Sequence, residues 1–72
     1  MKKIKKIKIR LNGKFVSIDS NLNLLKYVKK LKVPLRKVAI ELNGEILDKK
    51  KLNKIKLKKN DKIEIVHFIG GG

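Results

Sequence analysis

Asn60-Asp61-Lys62-Ile63-Glu64-Ile65-Val66-His67-Phe68-Ile69-Gly70-Gly71-Gly72 closes the 72-residue sequence, and its reading decides the fold. Asn60-Asp61 is a tight-turn pair, because Asn is the non-glycine residue best able to take a positive φ. Beyond it Ile63 and Ile65 share one side of an extended chain, continued by His67 or Ile69, while Val66 and Phe68 fall on the other. Apolar residues on both sides at its end predict that 62–69 is the central strand of a sheet. Three glycines then follow at once. The chain therefore divides into a domain over 1–69 and a flexible glycine tail over 70–72, since glycine is the costliest residue to order and termini fray.

A central strand needs neighbours, and the chain supplies them. Ile7, Ile9 and Leu11 alternate with Lys6, Lys8 and Arg10, the period of a half-buried strand. Asn12-Gly13 is the strongest short hairpin signal, because a type I′ turn needs positive φ at both central positions. It predicts a second strand over 14–18. Lys37 to Leu42 repeats the alternation, Asn43-Gly44 repeats the turn, and Glu45-Ile46-Leu47 begins the return. Between the hairpins Leu22, Leu25, Val28 and Leu31, with Leu24 beside them, recur at spacings of three and four. That spacing predicts an amphipathic helix of about three turns, capped within Asp19-Ser20-Asn21 and ended by Pro34. Residues 48–53 read as a polar loop or short helical turn apart from Leu52, and Ile55 and Leu57 as a brief extended piece. The expected class is α+β, a four- to five-stranded mixed sheet packed on one main helix.

Composition limits the function. Without cysteine there are no disulfides, thiolate metal sites or thiol nucleophiles, and with His67 as the one histidine no multi-histidine metal site can form. Ser17 and Ser20 share that single potential base, and no carboxylate pair is signalled for acid–base work. No Gly-rich phosphate loop precedes a helix. The chain reads as no enzyme by itself, with no metal and no catalytic residue of its own. His67 reads as a packed or edge-exposed side chain rather than a ligand. No apolar run approaches the roughly 20 residues that span a bilayer, and no apolar block follows the basic start, so a soluble cytoplasmic protein without a membrane partner is expected.

The formal net charge is +15, from 21 Lys and Arg against 6 Asp and Glu. Such an excess points first to a polyanion. The make-up argues otherwise: 19 of the basic residues are Lys, whereas base reading favours Arg, and Lys, Ile and Asn fill 35 positions, a mixture that an A- and T-rich genome produces by itself. Phe15, Tyr27 and Phe68 are too scattered for a base-stacking platform. Nucleic acid is therefore not the expected partner. Residues 1–36 hold 12 of the basic residues and one acidic residue, whereas 60–72 hold Lys62 against Asp61 and Glu64. The charge is read as marking faces where partners do not bind.

Without Cβ atoms three glycines can thread a narrow channel and deliver an α-carboxylate to another protein's active site. Adenylation would make that carboxylate a mixed anhydride open to attack by sulfur or an amine. The stretches Val38-Ala39-Ile40-Glu41-Leu42-Asn43-Gly44-Glu45-Ile46 and Asp61 to Gly72 resemble the ThiS family, sulfur carriers of thiamine biosynthesis within the ubiquitin-like β-grasp family. The resemblance covers the whole length, and its specific part is the ending. It implies a β-grasp fold with Gly72 as the residue adenylated and converted to a thiocarboxylate, and with Gly70 and Gly71 as the threading arm. It implies as partners a ThiF-type adenylating enzyme using ATP and magnesium, a sulfurtransferase, and thiazole synthase, which takes the sulfur; the chain itself would bind no cofactor. Asn60 stands where the family often has Gly, and the strongly basic charge departs from its usual near-neutral or acidic balance. Val66, Phe68 and Ile69 are candidates for an apolar partner surface beside the arm, or for core. Three other readings stay open: a carrier for molybdopterin synthesis or tRNA thiolation, a basic RNA-binding β-grasp module, and a designed or tagged chain whose glycines carry no function.

Overall fold

A computed structural model describes residues 5–68. Five strands, β1 (Lys6–Leu11), β2 (Lys14–Asp19), β3 (Val38–Leu42), β4 (Glu45–Ile46) and β5 (Lys62–His67), form one sheet in the order β2-β1-β5-β3-β4. β5 is central, as its sequence predicts. It runs parallel to β1, with Arg10 opposite Lys62 and Leu11 opposite Ile63, and antiparallel to β3, with Val38 opposite His67. The helix α1 (Leu24–Lys30) covers one side of the sheet.

Both hairpin turns form where the Asn-Gly pairs stand. Asn12 and Gly13 have φ of 48° and 82°, Asn43 and Gly44 of 52° and 89°, and Asn60 has 72°. These are the positive values that a type I′ turn or a tight corner requires. The two turn asparagines also bind β5. The Asn12 carboxamide accepts from the Ile65 N–H at 2.7 Å and reaches the Ile65 carbonyl at 3.3 Å. It thereby supplies one more rung where β1 has already turned away. The Asn43 side chain accepts from the Lys62 N–H at 2.9 Å and donates to Asp61 at 3.1 Å.

We expect Asn12→Gly, which keeps the turn's conformational freedom, to cost about 1–3 kcal/mol by leaving the Ile65 N–H unpaired. Asn12→Ala should cost about 1–2 kcal/mol more, the penalty of a Cβ in the left-handed region. Denaturant midpoints would measure both. A loss below about 0.5 kcal/mol for Asn12→Gly, the level of an ordinary surface change, would show that the rung carries no load.

The helix is shorter than its periodicity predicts, at seven residues rather than three turns. Asn23, not the Asp19-Ser20-Asn21 cluster, caps it, its side chain accepting from the Lys26 N–H at 3.2 Å. Leu22 is held outside by tertiary pairing: its carbonyl accepts from the Leu57 N–H, while the Leu24 N–H donates to the Ile55 carbonyl, each at 2.8 Å. This short antiparallel bridge centres on Asn23 and Lys56. At the other end Lys32, at φ 60°, stops the helix before Pro34 is reached. Pro34 instead precedes a 3₁₀ turn, Leu35–Lys37.

The core comprises Ile9, Ile18, Leu24, Tyr27, Val28, Val38, Ile40, Leu52, Leu57, Ile63 and Ile65, and among the described residues it contains no buried polar or charged side chain. Leu52 enters it from a second 3₁₀ segment, Lys49–Lys54, whose N-terminus Asp48 caps through the Lys50 N–H at 2.9 Å. Burial pushes the Tyr27 phenol up from its ordinary value. No described helix is long and apolar enough to cross a membrane.

Candidate functional site

One side of the sheet faces the helix and the other faces outward. Along β5, Ile63 and Ile65 point inward and are buried, while Lys62, Glu64 and Val66 point outward and are exposed. Val66 is 51% exposed and Phe68, just past the strand, 58%. Neither belongs to the core, which removes one of the two roles their sequence allows. Ile69, Gly70, Gly71 and Gly72 lie outside the described residues.

Two interactions fix the chain where it approaches the glycines. The Phe68 N–H donates to the Lys37 carbonyl at 2.8 Å, which continues the pairing with β3 beyond the last regular pair. The Lys49 ammonium stands 5.4 Å from the centre of the Phe68 ring and also donates to the Leu35 carbonyl. A cation over an aromatic face is worth about 0.5–1 kcal/mol at an exposed site, enough to bias the ring's orientation. His67 has the inward parity of Ile63 and Ile65, but it is exposed. It has no metal-binding company: the described residues contain no group of three or more His, Cys, Asp or Glu able to hold an ion.

The outward side is banded along the strand direction. Nearest the glycines lies an apolar band, Val66 opposite Ala39, with Phe68 beyond it. Next come Glu64 and Glu41, directly opposite one another, with Ile46 beside Glu41 and 74% exposed. A basic band follows, in which Lys62 sits opposite Arg10 and Arg10 opposite Phe15. Phe15 is 63% exposed, with the Arg10 guanidinium 4.7 Å and the Lys8 ammonium 5.9 Å from its ring centre. A groove lined by Arg10, Gly13, Glu41, Asn43, Gly44, Lys62, Ile63 and Glu64 runs between the two hairpin turns.

At the end of β1 nearest the protein's start, Lys6 pairs with Asp19 at 2.6 Å, the one salt bridge among the described residues. The hydrogen bond from Lys6 holds the Asp19 carboxyl below its ordinary value.

This arrangement shows where part of the charge lies. In the chain Arg10 and Glu64 are 54 positions apart, but parallel pairing of β1 with β5 brings the basic strand onto the face that carries Val66. Phe15 and Ile46 are parts of that face which the alternation pattern assigns to no role. Their signal was present, since both are large apolar residues at the outward positions of their strands.

The sequence profile of the ThiS family matches residues 4–72. The chain is 34% identical to the sulfur carrier protein ThiS of Bacillus subtilis, over 89% of this chain and 98% of that protein. It is 36% identical to a thiazole synthase of Paramagnetospirillum magneticum over 92% of this chain, but it spans only 20% of that protein's length. The crystal structure of the thiamine biosynthesis protein ThiS from Geobacter metallireducens superposes with a TM-score of 0.79 at 33% identity, covering 92% of this chain and all of that one. Given a β-grasp arrangement of five strands and one α-helix among the described residues, and a profile match that runs through the last glycine, the chain belongs to the ThiS family.

Proposed function

We propose that this protein is a sulfur carrier of thiamine biosynthesis, a co-substrate rather than a catalyst, acting through the carboxylate of Gly72. A ThiF-type enzyme, using ATP and magnesium, joins that carboxylate to AMP and releases pyrophosphate. A persulfide carried by a sulfurtransferase then attacks the acyl carbon and AMP leaves, and a thiol reductant cleaves the S–S bond of the resulting acyl disulfide, so the chain ends in a thiocarboxylate. Thiazole synthase accepts the sulfur.

The observation that carries this reading is the family match through residue 72 joined to the position of β5. A strand paired with β3 as far as His67 hands the chain to Gly70-Gly71-Gly72 within three residues of its end. Fixing the base of the arm leaves few residues to be ordered when the tail is received, which limits the entropic cost of docking. Val66 and Phe68 supply apolar surface at that base. The likeness to a stretch of proteins named thiazole synthase supports a carrier and a synthase that work together.

Intact mass spectrometry tests the proposal. Co-expressed with an adenylating enzyme and a sulfur source, the chain is expected to gain the mass difference between sulfur and oxygen, located at Gly72 by fragmentation. Absence of the gain, or its location anywhere else, counts against the reading.

A further inference from the structure

We infer that the outer face of the sheet docks an acidic surface on the protein that activates the tail, with Arg10 and Lys62 as its contacts. The inference rests on the sulfur-carrier reading and adds to it the chemistry of the partner. Lys62 and Val66 are four residues apart on β5, about 13 Å at strand rise. A standard interface covers about 800 Å² on each partner, a patch some 30 Å across. A partner that covers Val66 and Phe68 therefore also covers Lys62 and its neighbour Arg10. Neither cation has an acidic side chain in salt-bridge contact among the described residues. Covering them without counter-charge would desolvate two cations for no return, so the partner must bring carboxylates to that band.

The Phe15 ring biases the orientation of Arg10. The Arg10 guanidinium lies against that ring at 4.7 Å, a contact that reduces the side-chain freedom lost on docking. Between the bands Glu41 and Glu64 face each other directly, a pairing that is mildly destabilising in the free protein. A partner cation placed between them relieves it and sets the register of the complex. The same two carboxylates argue against nucleic acid on this face. A phosphate backbone running from the basic band toward Val66 would cross them, and the aromatic ring a base would stack on is engaged by Arg10.

The test compares two charge reversals of equal size in the full chain. Arg10→Glu with Lys62→Glu changes the outer face, and Lys50→Glu with Lys54→Glu changes two exposed positions of the 3₁₀ segment on the helix side. Affinity for a ThiF-type adenylating enzyme from the same organism is measured by calorimetry at low salt and at about 0.15 M. Melting curves establish that both variants fold. The outer-face pair is expected to weaken binding about tenfold or more and to flatten its salt dependence, whereas the helix-side pair stays within about twofold. Equal effects from the two pairs, or no effect from either, would overturn the inference.

A labelled single-stranded RNA serves as a second probe. If RNA binds at about 0.15 M salt and the outer-face reversal removes it while enzyme affinity is unchanged, the face belongs to nucleic acid and the inference fails. Sulfur loading separates this idea from the one beneath it. A wild-type chain that binds the enzyme yet gains no sulfur counts against the carrier reading. Wild-type and reversed chains that load at the same rate under limiting enzyme count against the acidic partner alone.

Discussion

A chain that stops at Gly71 is expected to acquire no sulfur under conditions in which the full chain is modified to completion. The shortened chain still ends in a carboxylate on a glycine, so its chemistry is unchanged and only its reach differs. One residue of extended chain is about 3.3–3.6 Å. In an activating centre a misplacement of 1 Å already costs about 10²-fold in rate, so a retreat of a whole residue should take loading below detection. Gly71→Val keeps the length and adds a branched side chain to the arm. It is expected to reduce loading nearly as far, because a channel that admits glycine has no room for it. Binding of the unloaded chain through the sheet face should survive both changes with little loss. Loading of the shortened chain at a rate within about tenfold of the full one would mean that a carboxylate need not be delivered at a fixed depth, and the threading argument would fail.

The second large effect lies far from the tail. Leu57→Ala and Leu52→Ala are each expected to cost about 2–5 kcal/mol, the range for truncating a fully buried leucine. Single domains of this size are held by roughly 4–11 kcal/mol, taking 0.05–0.15 kcal/mol per residue. Each substitution therefore removes a large share of the total, and the pair together should leave the chain largely unfolded at room temperature. Either single change should lower the melting temperature by roughly 10–20 °C or more, since a domain this small shifts about 4–8 °C per kcal/mol. Thermal unfolding followed by circular dichroism measures it. A shift under about 5 °C for both would mean that the segment between β4 and β5 collapses around the cavities and is not the second wall of the core.

These leucines also show where reading the chain reaches its limit. Leu52 stands in a run of lysines and Leu57 in a piece too short to have a period, so neither offers the repeated spacing from which burial is inferred. Both are nonetheless buried, because the 3₁₀ segment and the strand-like stretch after it close the core beside the helix. The helix start is a related case. The spacing of Leu22 fits a helical face, but its carbonyl is claimed by Leu57, and a hydrogen bond to a residue 35 positions away outweighs a local preference worth tenths of a kcal/mol. At the site, outward alternation placed Val66 and Phe68 on one side of β5, but whether that side met solvent or a second layer depended on how many helices the chain could supply.

By itself the sequence determined the strand segments, both hairpin turns, the existence of one helix, the central place of the last strand and the family to which its ending points. Each of these is written in residues a few positions apart: alternation of period two, Asn-Gly pairs that tolerate positive φ, and apolar spacings of three and four. Only the tertiary structure decided which strand lies beside β5, and so which side chains share its outward face. Parallel pairing of β1 with β5 joins segments separated by about fifty residues, and its register is set by closing the whole chain over one core. That closure brought Arg10 to Lys62, placed a basic band within one interface's reach of Val66, and turned charge that had marked a face to avoid into part of the face proposed to dock.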